Sequence, residues 1–320
     1  MCADIKSTEF NRTYKLLEAT RLSPSQVAEK TALALRPETW TGLCPLLTLG
    51  AEESGAARWP ADATASAMAS ARLHASGYMQ TAPLIPDHRL ELMRAAVIAL
   101  KAAGWPPVFV FVFNEFWDLW RSAPVGAVLR GALGDDYRMR LWMWCYYVHP
   151  IRGARGWPPH ADGFGHNGLS AWIPLGDSTV ENGCIYLIPR DLLSDNAKTA
   201  SLFDSDEVSA TIATELLQCA RPLPALAGSL LAWQFDVIHW GGVAQGGGPP
   251  RISLSAEFLP AAYANTPEDD PAWIPRHGLP SFQDRLRVIA ANLQRFAVND
   301  AWSFKFSEVG NELAAALGHS

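Results

Sequence analysis

From Leu141 onward the chain is a succession of short β-branched and aromatic runs, bounded by turn residues and with few helix-like segments between them. The runs are Leu141–Val148, Pro159–Asp162, Leu169–Leu175, Cys184–Ile188, Ser229–Phe235 and Ile252–Phe258, with turn signals such as Glu181-Asn182-Gly183 among them. Parallel strands need a crossover of a dozen or more residues, usually a helix, so this pattern points to antiparallel pairing in a sandwich or barrel. Val108–Phe113, apolar and preceded by Pro106-Pro107, reads as a further strand. The fold class expected is mainly β with flanking helices, built on a jelly-roll core.

The flanking helices have their own signals. Asp87–Ala103 carries an apolar stripe of Leu90, Met93, Val97 and Leu100, with Asp87 placed to cap it and Gly104 to end it. Phe282–Phe296 repeats the spacing with Phe282, Leu286, Ile289, Leu293 and Phe296, behind Ser281 and Asp284 in capping-box positions. Residues 1–68 read as helical pieces and loops: Ser23, Pro24 and Gln26 occupy N-cap, N1 and N3 of one helix, and the Ala/Gly/Ser-rich stretch from Ala51 to Ala71 is a linker or weak helix.

Composition narrows the function. A net charge of −6 and the lack of a basic run give no support for nucleic acid as a partner. The five cysteines are scattered and without CxxC spacing, which speaks against a disulfide framework and a cysteine-based zinc site. No apolar h-region opens the chain and no run is long enough to span a bilayer, so a soluble, cytoplasmic protein with no membrane partner is expected. The 13 Trp suit a core and also the lining of a pocket for an organic ligand.

Two segments carry chemistry. In His160-Ala161-Asp162 the i and i+2 side chains of an extended segment point the same way, placing an imidazole beside a carboxylate. Gly228–His239 is a strand-like segment that ends in a histidine. Two His and one carboxylate form the facial triad that leaves iron(II) open positions for a co-substrate and dioxygen. Further on, Arg251, Ser253, Ser255 and Glu257 alternate with Ile252, Leu254, Ala256 and Phe258. A polar face on a buried strand suits a site, where Arg251 can grip a carboxylate bidentately and Ser253 can add a donor.

These residues resemble the phytanoyl-CoA dioxygenase family of Fe(II)/2-oxoglutarate-dependent oxygenases. The likeness runs from about Ala75 to Phe296 through Ser76-Gly-Tyr, Leu133-Gly-Asp-Asp-Tyr137, His160-x-Asp162, Trp172-Ile-Pro-Leu, Glu181-Asn-Gly-Cys-Ile-Tyr-Leu-Ile-Pro189, Gly228-Ser-Leu-Leu, His239 and Arg251. It implies a double-stranded β-helix of the cupin-like kind, with iron held by His160, Asp162 and His239. It also implies 2-oxoglutarate on Arg251 and Ser253, and consumption of O2. The chain departs from the family at Ala161, often Gln there, at Arg190-Asp191, where Gly-Ser-His is usual, and at His149-Pro150, where a Lys-Pro is common. Because Asp162 is present, hydroxylation or another oxidation is favoured over halogenation, for which related halogenases replace that carboxylate by a small residue.

The expected organisation is an N-terminal helical extension over residues 1–68, packing on an oxygenase domain over residues 69–320. Its apolar residues, among them Leu16, Leu17, Val27, Leu33 and Leu35, would brace the outside of the fold or lie over the barrel mouth. His149 is expected near the co-substrate. Arg152, Arg155, Trp172 and Phe164 are expected near a small organic substrate with a polar or anionic handle, such as an amino-acid derivative or natural-product intermediate. Trp142, Trp144 and Tyr146 share one strand face and read as core. A zinc site of His149, His160 and His166 leaves Asp162, His239 and Arg251 unexplained, and the Gly246-Gly-Gly loop lacks the Lys-Ser/Thr of a phosphate loop. Desaturation or ring formation on the same iron, and a non-catalytic jelly-roll binding protein, are the alternatives.

Overall fold

A computed structural model describes residues 21–50, 72, 73, 75–163, 168–192, 217–263, 274, 278–298 and 300–318. The Ala51–Ala71 expectation, Phe164 and His166 lie outside them. Helix α1 (Pro24–Ala34) and helix α2 (Pro37–Leu43) come first, then strand β1 (Tyr78–Pro83) and helix α3 (Asp87–Ala102). A 3-10 helix (Pro107–Val112) leads into α4 (Asn114–Arg121) and α5 (Ala123–Leu133). The strands follow: β2 (Arg138–Val148), β3 (Leu169–Pro174), β4 (Ile185–Leu187), β5 (Arg221–Leu223), β6 (Ser229–Gln234), β7 (His239–Gly241) and β8 (Arg251–Leu259). Helices α6 (Phe282–Arg295) and α7 (Ala301–Leu317) close the chain.

All the pairings are antiparallel. A five-stranded sheet runs β1-β6-β3-β8-β2 and a three-stranded one β5-β4-β7. Leu141–Val148, Leu169–Leu175, Cys184–Ile188, Ser229–Phe235 and Ile252–Phe258 do hold strands, but helix outweighs strand among the described residues, so "mainly β" is corrected to two antiparallel sheets with a large helical layer. That layer covers one face of the larger sheet. Leu254, Ala256 and Phe258 of β8, Ala171 and Ile173 of β3, and Leu230 and Ala232 of β6 join the helices in one apolar core. The alternate side chains of these strands turn the other way, toward the smaller sheet, and build the site.

Three expectations need correction. Val108–Phe113 is not a strand: Pro107–Val112 is a fully buried 3-10 helix between α3 and α6. An apolar run without alternation carries no period to tell strand from helix, and Pro106-Pro107 provide no ladder donors. Asp87 is the first residue of α3, with Pro86 at the N-cap and no side-chain cap. Pro159–Asp162 is not a full strand, since Pro158 and Pro159 also lack donors. A single bridge remains, His160 N–H donating to His239 O at 3.0 Å and His239 N–H to His160 O at 2.9 Å.

Two polar residues of α6 hold the helical layer to the rest. The β2–β8 register shifts between Met139 and Met143, which takes Leu141 O and Met143 N off the ladder. Buried Asn292 serves both, donating to Leu141 O at 2.8 Å and accepting from Met143 N at 3.1 Å. Arg285, fully buried, donates to Val112 O at 2.7 Å, Gly50 O at 2.6 Å and Pro280 O at 2.9 Å. Ser281 caps α6, and Ser23 with Gln26 forms a reciprocal capping box on α1. Helix α1 packs on α7, and Trp40 stacks on Phe109 at 5.2 Å beside Trp105 and Phe306. No helix among the described residues is long and apolar enough to cross a membrane.

Candidate metal centre and co-substrate pocket

The bridge between His160 and His239 brings the two histidines side by side, with ring centroids 4.3 Å apart. Asp162 is pinned next to them because its N–H donates to Phe235 O at 2.9 Å, and that of Gly163 does so at 3.1 Å. One ligand atom from each of His160, Asp162 and His239 lies within 4.8 Å of the others. His160 Nε2 is 3.5 Å from Asp162 Oδ1 and His239 Nε2 is 3.6 Å from Oδ2.

The tautomers follow from the neighbours. His160 Nδ1–H donates to Pro158 O at 2.7 Å and His239 Nδ1–H to Val237 O at 3.0 Å. A carbonyl only accepts, so each Nδ1 carries a proton and, in the neutral ring, Nε2 is the lone-pair nitrogen turned toward the carboxylate. Trp233 Nε1–H (3.1 Å) and Ser170 Oγ–H both donate to Asp162 Oδ2, which fixes the carboxylate.

Burial and charge set the titrations. Burial pulls His239 down to about 4, against the opposing pull of Asp162, so this ring is neutral at neutral pH. Burial also works against protonation of His160, but Asp162 and the Pro158 carbonyl outweigh it and raise its pKa. For Asp162 burial favours the neutral acid, yet the two histidines and Ser170 together hold its carboxyl below the usual range. Two imidazole nitrogens and one ionised carboxylate converging this way match the donor set that iron(II) takes in a facial triad.

Beside the triad, Arg251 is 2% exposed, and neither its Nε nor its Nη2 has a hydrogen-bond partner. Ser253 Oγ and Trp172 Nε1 are buried without partners as well. A buried guanidinium left unpaired is costly, and burial lowers its pKa to about 10. The group therefore calls for an anion. Its place depends on two glycines: a Cβ on Gly156 would lie 2.9 Å from Arg251 Nη2, and one on Gly241 would lie 2.7 Å from Gly156 Cα and 3.0 Å from Nη2. The backbones cross there because neither residue has a side chain.

The triad, Arg251 and Trp172 line one cavity, together with Trp142, Trp144 and Tyr146 of β2. Those three therefore face the site rather than serving only as core. A wider cavity of about 380 Å³ opens outward between His160, Asp162, Glu257, Arg295 and Phe296. Trp157 and Phe296, with centroids 4.9 Å apart, form a wall shared by both cavities.

Other expected residues stand elsewhere. His149 is exposed, 5.0 Å from the Tyr147 ring, and does not line the cavity, because it shares the strand parity of Tyr147 rather than of Tyr146. Arg152 and Arg155 are exposed in the loop before the iron segment and line neither cavity. Trp172 is buried next to Arg251, whose guanidinium carbon is 5.8 Å from its ring, and lines the inner cavity rather than the wider outer one. Sequence reasoning missed the parts played by Arg140, Glu257 and Arg295. Glu257 was visible as the fourth residue of the polar face of β8; nothing in the sequence paired it with Arg140, 117 residues away.

The family model for phytanoyl-CoA dioxygenase (PhyH) matches residues 86–252. Among curated proteins none matches the chain. Of the solved structures, the epimerase SnoN from nogalamycin biosynthesis, in complex with Fe3+, alpha ketoglutarate and nogalamycin RO, is similar at 20% identity. That likeness covers 68% of this chain and 96% of the other, with a TM-score of 0.51. EctD from S. alaskensis in its apoform is similar at 16% identity, over 70% of this chain and 87% of the other, with a TM-score of 0.49.

Proposed function

Because this chain belongs to the phytanoyl-CoA dioxygenase family of Fe(II)/2-oxoglutarate-dependent oxygenases, we propose that it hydroxylates a C–H bond of a small organic substrate held in the outer cavity. His160, Asp162 and His239 would hold the iron between the two sheets, taken as the halves of a double-stranded β-helix. Bound iron, with 2-oxoglutarate and dioxygen, supplies the oxidising chemistry. The chain's own residues do the rest. Arg251 takes the distal carboxylate of 2-oxoglutarate with Ser253 as a further donor, and Trp172 Nε1–H stands beside them. Trp144, Trp157 and Phe296 exclude water and bury apolar substrate surface. Within the N-terminal extension over residues 1–68, the described helix α1 packs on α7 and would brace the helical layer.

The observation that carries this reading is the buried Arg251, with Nε and Nη2 unpartnered among the described residues, in the same cavity as a His-Asp-His set whose Nδ1 atoms both face backbone carbonyls. A carboxylate at Asp162 leaves no position for a halide, which favours hydroxylation. The test is 2-oxoglutarate consumption by protein reconstituted with iron(II), compared with His160→Ala, Asp162→Ala and His239→Ala. Each variant is expected to lose consumption, and full consumption in His239→Ala would refute the assignment. Product mass then identifies the outcome: one added oxygen for hydroxylation, two lost hydrogens for desaturation or ring closure.

A further inference from the structure

Glu257 is the one carboxylate besides Asp162 that lines either described cavity, and it borders both. Its side chain is 18% exposed, and Oε2 accepts from Arg140 Nη1 at 2.7 Å. The Glu257 side chain lines the inner cavity together with Trp142, whose buried Nε1–H is unpartnered among the described residues. At the outer end Arg295 stands over the Trp142 ring at 5.2 Å and lines the wider cavity with Phe296.

The charges of a loaded site indicate what these groups await. Iron(II), Asp162, dianionic 2-oxoglutarate and Arg251 sum to no net charge, and Arg140 balances Glu257. Arg295 adds a positive charge at the mouth of the wider cavity, and Glu257 presents its carboxylate to both cavities. Burial, with the Asp162 carboxylate second, pushes Glu257 up to about 8, against the opposing pull of Arg140 and Arg295. Trp144, Trp157 and Phe296 wall the inner cavity, with centroids 4.8 Å (Trp144–Phe296) and 4.9 Å (Trp157–Phe296) apart, and Trp157 and Phe296 also line the wider one. Their π faces accept a cation as well as apolar surface.

Resting on the oxygenase reading above, we propose that the substrate is a zwitterion of the amino-acid class, with its ammonium group on Glu257 Oε1 against the aromatic wall and its carboxylate on Arg295. Glu257 and Arg295 are thus specificity-determining residues. This replaces Arg152 and Arg155 as the anion-reading pair and adds a cation-reading group opposite.

The test uses a matched panel: phenylalanine, phenethylamine, 3-phenylpropionate and propylbenzene. Binding to anaerobic protein loaded with iron(II) and 2-oxoglutarate is measured by ligand-observed NMR. Phenylalanine is expected to bind about tenfold tighter than either single-handle compound, and both of these tighter than propylbenzene. In Arg295→Glu, an exchange at an exposed position, phenethylamine is expected to overtake phenylalanine. Equal binding across the panel, binding by none of the four, or an unchanged order in Arg295→Glu overturns the proposal. Failure of the oxygenase reading looks different: wild-type protein would then neither retain iron(II) nor consume 2-oxoglutarate, whatever the panel shows.

Discussion

Arg251 and the two histidines show how one side chain's surroundings fix its chemistry. Arg251 has no carboxylate partner among the described residues, so on the proposed reading Arg251→Ala would remove a charge-assisted pair with the co-substrate of about 2–5 kcal/mol. The apparent 2-oxoglutarate KM is expected to rise at least about 30-fold, and less in Ser253→Ala. An unchanged KM in Arg251→Ala would assign the arginine elsewhere. The histidines make a pH prediction. Metal binding needs both rings neutral. His239, held down to about 4 by burial, is already neutral across the working range. His160, raised by Asp162, is the ring that protons contest. The sign is fixed: iron(II) affinity is full above the His160 pKa and falls about tenfold per pH unit below it, as one proton is displaced per metal. Anaerobic iron titrations from about pH 5 to 8 check this; a two-proton slope would mean that His239 titrates there too.

At the level of the elements, the site depends on backbone that approaches too closely for side chains and on a bulge served by a helix. Gly241→Ala drives a methyl group into Gly156 and Arg251 Nη2. Weaker 2-oxoglutarate binding is expected with the secondary structure retained, read by KM and by far-UV circular dichroism. Loss of iron binding alone would contradict this. Asn292→Leu leaves Leu141 O and Met143 N buried and unpaired, at about 1–3 kcal/mol each. Because Trp142 sits in that bulge and lines the cavity, substrate binding is expected to suffer as well as stability. Urea unfolding of the variant, with substrate KM measured alongside, separates the two effects.

The molecule as a whole joins its layers through few polar ties. Arg285 links α6 to the 3-10 helix and to Gly50, so Arg285→Met is expected to cost about 3 kcal/mol or more and to lower the melting midpoint by several degrees. An unchanged midpoint would show that packing alone holds α6. Iron and 2-oxoglutarate bind only the folded chain; at a hundred times their dissociation constants, each adds about 2.7 kcal/mol. Chelation should therefore lower the melting midpoint as well as abolish turnover, and added iron(II) should restore both.

Much of this was legible residue by residue. The antiparallel strands after Leu141, the polar face of β8, the Ser23 capping box and the His-x-Asp…His set with Arg251 all follow from local rules, because periodicity and chelate spacing act over a few residues. Long-range packing decided the rest. Val108–Phe113 became a 3-10 helix because it is buried on every side, so no period marked it. His149 left the site because one step of strand parity reversed its direction. Glu257 found Arg140, and Arg295 came to the cavity mouth, across more than a hundred residues of chain. Local sequence encodes which groups are on offer and which way each side chain points. Which distant groups share a cavity depends on how the sheets and helices close around it.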